Sequence, residues 1–162
     1  QSKHYLKMVD VWQWMQLAQR KYHWDDQTIS IPVTALSYVM NRTPAEQLVY
    51  AVIGLESIYV SSNQKQKKQR LMLLLPQVCP GISPEDVEQF YSLRSDLVHG
   101  DLPLPECKEP FYYFFDSTET KRCLIKSGVS LMMTIRALVE HNAFRIRNNG
   151  AGGIRYLQEK DL

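Results

Sequence analysis

Apolar side chains recur every three or four residues through most of this chain, and polar or proline-containing stretches divide that helical pattern into five blocks. The first, residues 4 to 24, sets Met8, Val11, Trp12, Met15 and Ala18 on one face, made bulky by Trp12 and Trp14. Asp25 to Pro32 then interrupts with polar residues and β-formers, which predicts a short extended link or hairpin edge. Thr43, Pro44 and Glu46 form a capping-box pattern that opens a helix over residues 44 to 60. Residues 64 to 75 read as a basic, then apolar, helix ended by Pro76. Ser83, Pro84, Glu85 and Asp86 supply an N-cap, a first-turn proline and acids that suit the helix dipole, and Gly100 closes that helix at residue 99.

Prolines at 103, 105 and 110 keep the next segment out of a helix, and Phe111 to Phe115 lack a helical period, as a strand or a hydrophobic flap would. Core or dimer packing is the simpler use of those aromatics than base stacking. The longest helix is expected over residues 117 to 143, with Leu124, Gly128, Leu131, Met132, Ile135, Leu138 and Val139 as its stripe. Gly128 would admit a close helix neighbour, and the methionines fill core space. Asn148 to Gly153 reads as a flexible turn, since a phosphate loop would need a G-K-[ST] ending and a preceding strand.

Within residues 84 to 99, Val87, Phe90, Tyr91, Leu97 and Val98 mark the apolar face, and Arg94 falls within that arc. A buried guanidinium without a partner costs several kcal/mol, so an anion is expected opposite it. Glu56 lies between Val49 and Val52 on the wheel of its own helix, and the pattern predicts a Glu56–Arg94 pair. A carboxylate there would hold the guanidinium while leaving donors free for a phosphate. His99 stands at the last helical turn, where the carbonyl ends favour an imidazolium, and histidine suits acid–base work near neutral pH. The structural alternatives are a plain core ion pair for Arg94, a helix C-cap for His99 and a dimer-rim position for Glu56. Ser95 and Asp96 fall on the polar side.

The chain has 162 residues, 44% hydrophobic and 22% charged, which suits one soluble globular domain with a real core. A formal charge of +2 does not by itself announce a nucleic-acid binder. Local basic groups, Lys65, Lys67, Lys68 and Arg70 and then Arg136, Arg145, Arg147 and Arg155, suit either RNA phosphates or a solvated surface. Cys79, Cys107 and Cys123 have neither disulfide nor zinc spacing, and His4, His23, His99 and His141 are scattered. The expectations are a reducing cytosolic home, no metal, no cofactor and no membrane span. Gln1 in place of methionine suggests a fragment, with an upstream or fused domain elsewhere.

The segment EQFYSLRSDLVHGDL resembles the R-x-x-x-x-H signature of the HEPN superfamily (higher eukaryote and prokaryote nucleotide-binding), and its LRS-x-x-VHG wording is closest to the Apea-like branch. AVIGLES resembles that branch's acid-bearing second helix. The resemblance implies an all-α antiparallel bundle with its core over residues 33 to 146. An extra N-terminal helix, a possible short β segment and a tail over residues 147 to 162 complete a single domain. It further implies a homodimer with a composite cleft and RNA as partner. The implied reaction is metal-independent endoribonuclease action through a 2′,3′-cyclic phosphate, in a toxin or antiphage defence system. Arg94 would stabilise the phosphorane, His99 would move a proton, and Glu56, Ser95 and Asp96 would support them. A catalytically silent module binding nucleotide, RNA or a protein is the alternative. Many active members carry Asn, His or Asp where this chain has Ser95. Asp101, Leu102 and Pro103 also lack the tyrosine of the toxins paired with small nucleotidyltransferases.

Overall fold

Capping chemistry starts two of the helices where the pattern places them. In the computed structural model, which describes residues 8–21, 27–60, 66–101 and 118–158, the Glu46 carboxylate accepts the Thr43 N–H at 3.1 Å. At the second start, Ser83 Oγ accepts the Asp86 N–H at 3.2 Å while Asp86 accepts the Ser83 N–H at 2.9 Å. The helices of the described residues are α1 (Met8–Lys21), α2 (Gln27–Asn41), α3 (Pro44–Tyr59), α4 (Lys67–Val78), α5 (Pro84–His99) and α6 (Thr118–Glu140). Strands β1 (Arg145–Asn148) and β2 (Ile154–Leu157) follow as an antiparallel hairpin.

α3 occupies the middle, against α2, α4, α5, α6 and β1. Leu48, Ala51, Val52, Leu55, Ile58 and Tyr59 are all buried along it. Gly54 makes this packing possible, because a Cβ there would lie 2.9 Å from both Ala35 Cβ of α2 and Leu131 Cδ1 of α6. Gly128 plays the expected part more mildly, with Val39 Cγ1 at 3.3 Å from a Cβ built on it. In the α6 stripe Leu131, Ile135 and Leu138 are buried, whereas Met132 is exposed.

Pro44 and Pro84 start helices as expected, whereas Pro32 and Pro76 lie inside them. Residues 27 to 32, read as an extended link or hairpin edge, are the first turns of α2, and Pro32 is buried there. Pro76, read as the end of the fourth block, lies in the last turn of α4, which continues to Val78. Each proline removes one backbone hydrogen bond, and the packing of its helix on neighbours outweighs that loss. In α1 the exposed and buried tryptophans are reversed relative to the expected face. Trp12 is 59% exposed, while Trp14 is buried, donates Nε1–H to the Ala143 carbonyl at 2.8 Å and stacks on Phe144.

The β structure lies where a tail was expected. Phe144 N–H bonds the Leu157 carbonyl at 2.9 Å, and Ile146 is fully buried against the bundle. The Asn148–Gly153 stretch is the hairpin connection: Asn148 Oδ1 accepts Gly150 N–H, and Asn149 Oδ1 accepts Ala151 and Gly153 N–H. Phe111 to Phe115 and Cys107 lie outside the described residues. Among the described residues no helix is long and apolar enough to cross a membrane.

Candidate functional site

α5 carries the R-x-x-x-x-H residues, and its first half is anchored. Asp86, beyond closing the cap, accepts Lys126 Nζ of α6 at 2.5 and 2.6 Å through its two oxygens. Burial alone would push the Asp86 carboxyl up. The Lys126 and Ser83 hydrogen bonds outweigh it and hold the group below the usual carboxylate value. Val87 and Phe90 then enter the core at 1% exposure each, which fixes the direction in which the rest of the helix projects.

One turn later the face becomes polar. Tyr91, half-buried, donates its hydroxyl to Glu56 Oε1 at 2.6 Å. Burial, followed by the Glu56 hydrogen bond and charge, pushes the Tyr91 phenol far up, and the positive charge of Arg94 acts against that shift. Tyr91 is therefore locked as a neutral donor. The other Glu56 oxygen faces Lys67 Nζ, from the start of α4, at 3.6 Å.

Arg94 follows Tyr91 by three residues and so lies on the same side of α5. Its Nε is buried and has no hydrogen-bond partner among the described residues. The expected Glu56–Arg94 ion pair is not formed among the described residues; Glu56 takes Tyr91 and Lys67 instead. The reason is local: the Tyr91 hydroxyl lies one turn nearer the anchored end of α5, and the half-exposed Lys67 brings charge at a smaller desolvation cost. Glu56 is thus engaged by Lys67 and Tyr91, and Arg94 is near enough to Tyr91 for its charge to act there.

His99 is the last residue of α5 and is exposed, as is its neighbour Val98 at 52%. Gly100, at φ 74°, turns the chain, and the Asp96 carbonyl collects both the Gly100 N–H and the Asp101 N–H. No hydrogen bond joins His99 to Arg94 among the described residues. Ser95 and Asp96, expected on an open polar side, are half-buried. Arg94 and Glu56 are thus gathered around Tyr91, whereas His99 stands apart at the helix end.

In the hydrophobic pattern Tyr91 counts as plain core, and its hydroxyl as the partner of Glu56 does not show there. Its three-residue offset from Arg94 was the available signal, because that spacing puts two donors on one side of a helix. The basic residues of α4 divide: Lys67 meets Glu56, and Lys68 pairs with Glu88 at 2.5 Å. Arg147 Nη1 donates to the carbonyl of Ile58 at 3.0 Å, at the C-terminal end of α3. Its pKa is lowered to about 10, first by burial and then by the like charges of Arg145 and Arg70.

Other chemistry is sparse among the described residues. No group of three or more His, Cys, Asp or Glu side chains is arranged to hold a metal. Cys79 and Cys123 are free and buried, and burial pushes their thiols up to about 11 and about 12, which keeps them as unreactive thiols. A cavity of about 250 Å³ between α2 and α3 is lined by Ser30, Ile31, Thr34, Ala35, Tyr50 and Ile53, none of them from the motif helix. No protein-family model, curated protein or solved structure matches this chain.

Proposed function

We propose that this protein is a metal-independent endoribonuclease of the HEPN type, acting as a homodimer on RNA. The observation that carries the reading is the Arg94 guanidinium, whose Nε is buried without a partner while Glu56 is engaged by Tyr91 and Lys67. A half-buried guanidinium that keeps an Nε–H without an acceptor is suited to a phosphodiester, to which arginine can bond in bidentate fashion. In a water-poor site its charge is most valuable when negative charge builds up on phosphorus.

The reaction needs no protein nucleophile. The RNA 2′-hydroxyl attacks the adjacent phosphorus, a 2′-O–P bond forms and the P–O5′ bond breaks. The 2′-hydroxyl proton is removed, and a proton is delivered to the departing 5′-oxygen. Arg94 stabilises the phosphorane, and His99, exposed at the helix end, moves the proton. Glu56, through Tyr91, positions the face on which Arg94 stands. Asp96 contributes through its carbonyl, which closes the helix end that presents His99, and Ser95 is the half-buried neighbour of Arg94.

Exposed Val98 beside His99 suits a seam in which a second subunit brings its own motif helix alongside. The second reading is a silent nucleotide- or RNA-binding module. It is favoured by one observation, that no hydrogen bond orients His99 toward Arg94 among the described residues. A defence or toxin role goes with the nuclease reading, through the resemblance of RSDLVHG to the HEPN signature.

The test is incubation of purified protein with RNA in EDTA. The nuclease reading expects 2′,3′-cyclic phosphate and 5′-hydroxyl ends, lost in both Arg94→Ala and His99→Ala. Binding without cleavage across a broad RNA panel would replace it with the module reading.

A further inference from the structure

α2 and α3 run antiparallel through the turn at Arg42 and Thr43, so that Tyr38 meets Tyr50 near the turn and Ala35 meets Gly54 further from it. Three flat side chains close the turn end of the groove between them. The Arg42 guanidinium lies over the Tyr38 ring, 4.8 Å from its centroid, and Tyr38 stacks on Tyr50 at 4.1 Å with 13° between the planes.

The cavity of about 250 Å³ begins where that stack ends. Its α2 residues, Ser30, Ile31, Thr34 and Ala35, all lie on the side of Tyr38 away from the turn, while Tyr50 and Ile53 wall it from α3. The cavity therefore meets Tyr50 on the side opposite Tyr38, as a continuation of the stack. Ala35 is buried and forms the floor, and its closeness to Gly54 leaves no room there for a larger residue. Ser30 and Thr34 are exposed and, four residues apart on α2, share the rim. Hydroxyls inside a helix commonly return to a carbonyl about one turn back, as those of Ser57, Ser127 and Ser130 do. Ser30 and Thr34 form no such bond among the described residues. None of the described lining residues is charged.

We propose that this cavity binds a neutral, flat heteroaromatic ring system of purine size, stacked on Tyr50 with its polar edge at the Ser30 and Thr34 hydroxyls. Size selects the ligand first. An apolar cavity of about 150 Å³ holds benzene, and drug-sized ligands occupy roughly 300–1,000 Å³, so about 250 Å³ suits two fused rings. Stacking then favours a flat ring over a saturated one, because aromatic pairs gain more than the area they bury. An ion is disfavoured, since it would leave water for a lining that offers no opposite charge. Arg42 and Tyr38 already hold Tyr50 in place, so little ordering cost remains at binding. The proposal asks nothing of Arg94 or His99.

The experiment is an NMR titration of the full chain with labelled tyrosine rings, the Tyr50 signal being assigned by its loss in Tyr50→Phe, together with equilibrium dialysis for affinities. Adenine is the probe. Indole shares its two-ring outline with a single polar edge atom, and cyclohexanol is saturated. Adenine and indole are expected to move the Tyr50 ring signal upfield and saturably, as a stacked ring does, and cyclohexanol is expected to bind on the order of tenfold or more weakly. Tyr50→Phe keeps a stacking face and should bind adenine as the wild type does, whereas Tyr50→Leu should not. Ser30→Ala with Thr34→Val, both at exposed positions, should weaken adenine on the order of tenfold, the worth of two hydrogen bonds, and weaken indole less.

A Tyr50 signal that shows no saturable shift with millimolar adenine or indole would overturn the inference, and this holds whatever the variants do. Cyclohexanol binding as tightly as the flat rings would overturn it as well, in favour of a plain apolar crevice. So would an adenine affinity unmoved in a double variant that keeps its circular dichroism. RNA cleavage plays no part in these readouts, so the cavity and the nuclease reading stand or fall separately.

Discussion

The two halves of α5 solve the same problem, charge on a helix packed into a core, in opposite ways. In the first half Asp86 meets the Ser83 N–H and both of its oxygens meet Lys126. In the second, Glu56 is met by Tyr91 and Lys67, and Arg94 keeps a buried nitrogen without a partner. A fold built only for stability would treat both halves like the first, because an unpaired buried donor costs about 1–3 kcal/mol. Satisfied charge anchors the helix, and unsatisfied charge is held where that anchor projects it. Such exceptions to local consistency concentrate at working sites.

The contrast breaks most visibly in an activity measurement. Arg94→Ala and His99→Ala should each lower EDTA-resistant RNA cleavage by about 10²- to 10⁴-fold. Arg94→Ala should leave thermal stability equal or higher, since it removes an unsatisfied buried donor. A large fall in melting temperature would instead make Arg94 a structural residue.

Next in size, Asp86→Ala should cost roughly 2 to 4 kcal/mol of stability by urea titration, from the lost cap and an unpaired Lys126. Removing the exposed Lys68 partner of Glu88 should cost under about 1 kcal/mol. The Asp86 effect has a definite pH sign. Its folded-state pKa lies below the unfolded value of about 3.9, so its contribution is complete above that value and is lost as pH falls through the lower, folded one. A melting temperature that held steady down to pH 2 would contradict this.

How much of this was legible depends on how local each cause is. The boundaries of α3 and α5 follow from Thr43, Pro44, Glu46, Ser83, Asp86 and Gly100, residues that bond within their own turn. Pro32 and Pro76 misled because their cost is local while the packing that offsets it comes from distant helices. The hairpin had a signal, the alternation of Arg145, Ile146 and Arg147 with Ile154, Arg155 and Tyr156, but strands of four residues are too short to dominate a helical pattern. At the site, Arg94 and Glu56 stood out as charges in apolar stripes. Their failure to pair did not, because it turns on a tyrosine hydroxyl that any hydrophobicity pattern counts as core.

Gly54→Ala sharpens the comparison from the other side, as a change in the packing beneath both halves. With Ala35 and Leu131 atoms 2.9 Å from the new methyl, overpacking should cost about 1–3 kcal/mol, read as a lower urea midpoint. An unchanged midpoint would mean α2 and α6 move apart freely. Smaller still, Tyr91→Phe should cost about 1 kcal/mol, the worth of one hydrogen bond, and lower cleavage by less than tenfold, since Lys67 still holds Glu56. A loss as large as that of Arg94→Ala would place Tyr91 in the chemistry itself.

The most direct measurement is the ¹⁵N NMR signal of the Arg94 Nε–H group, assigned by its loss in Arg94→Lys and followed while an uncleavable 2′-O-methyl dinucleotide is added. The account predicts a shift that saturates with the dinucleotide and persists in Glu56→Gln, as expected of a donor that a phosphate, and not Glu56, completes. A signal that ignores the dinucleotide but moves in Glu56→Gln would mean that the guanidinium is committed to the carboxylate, and would contradict the account.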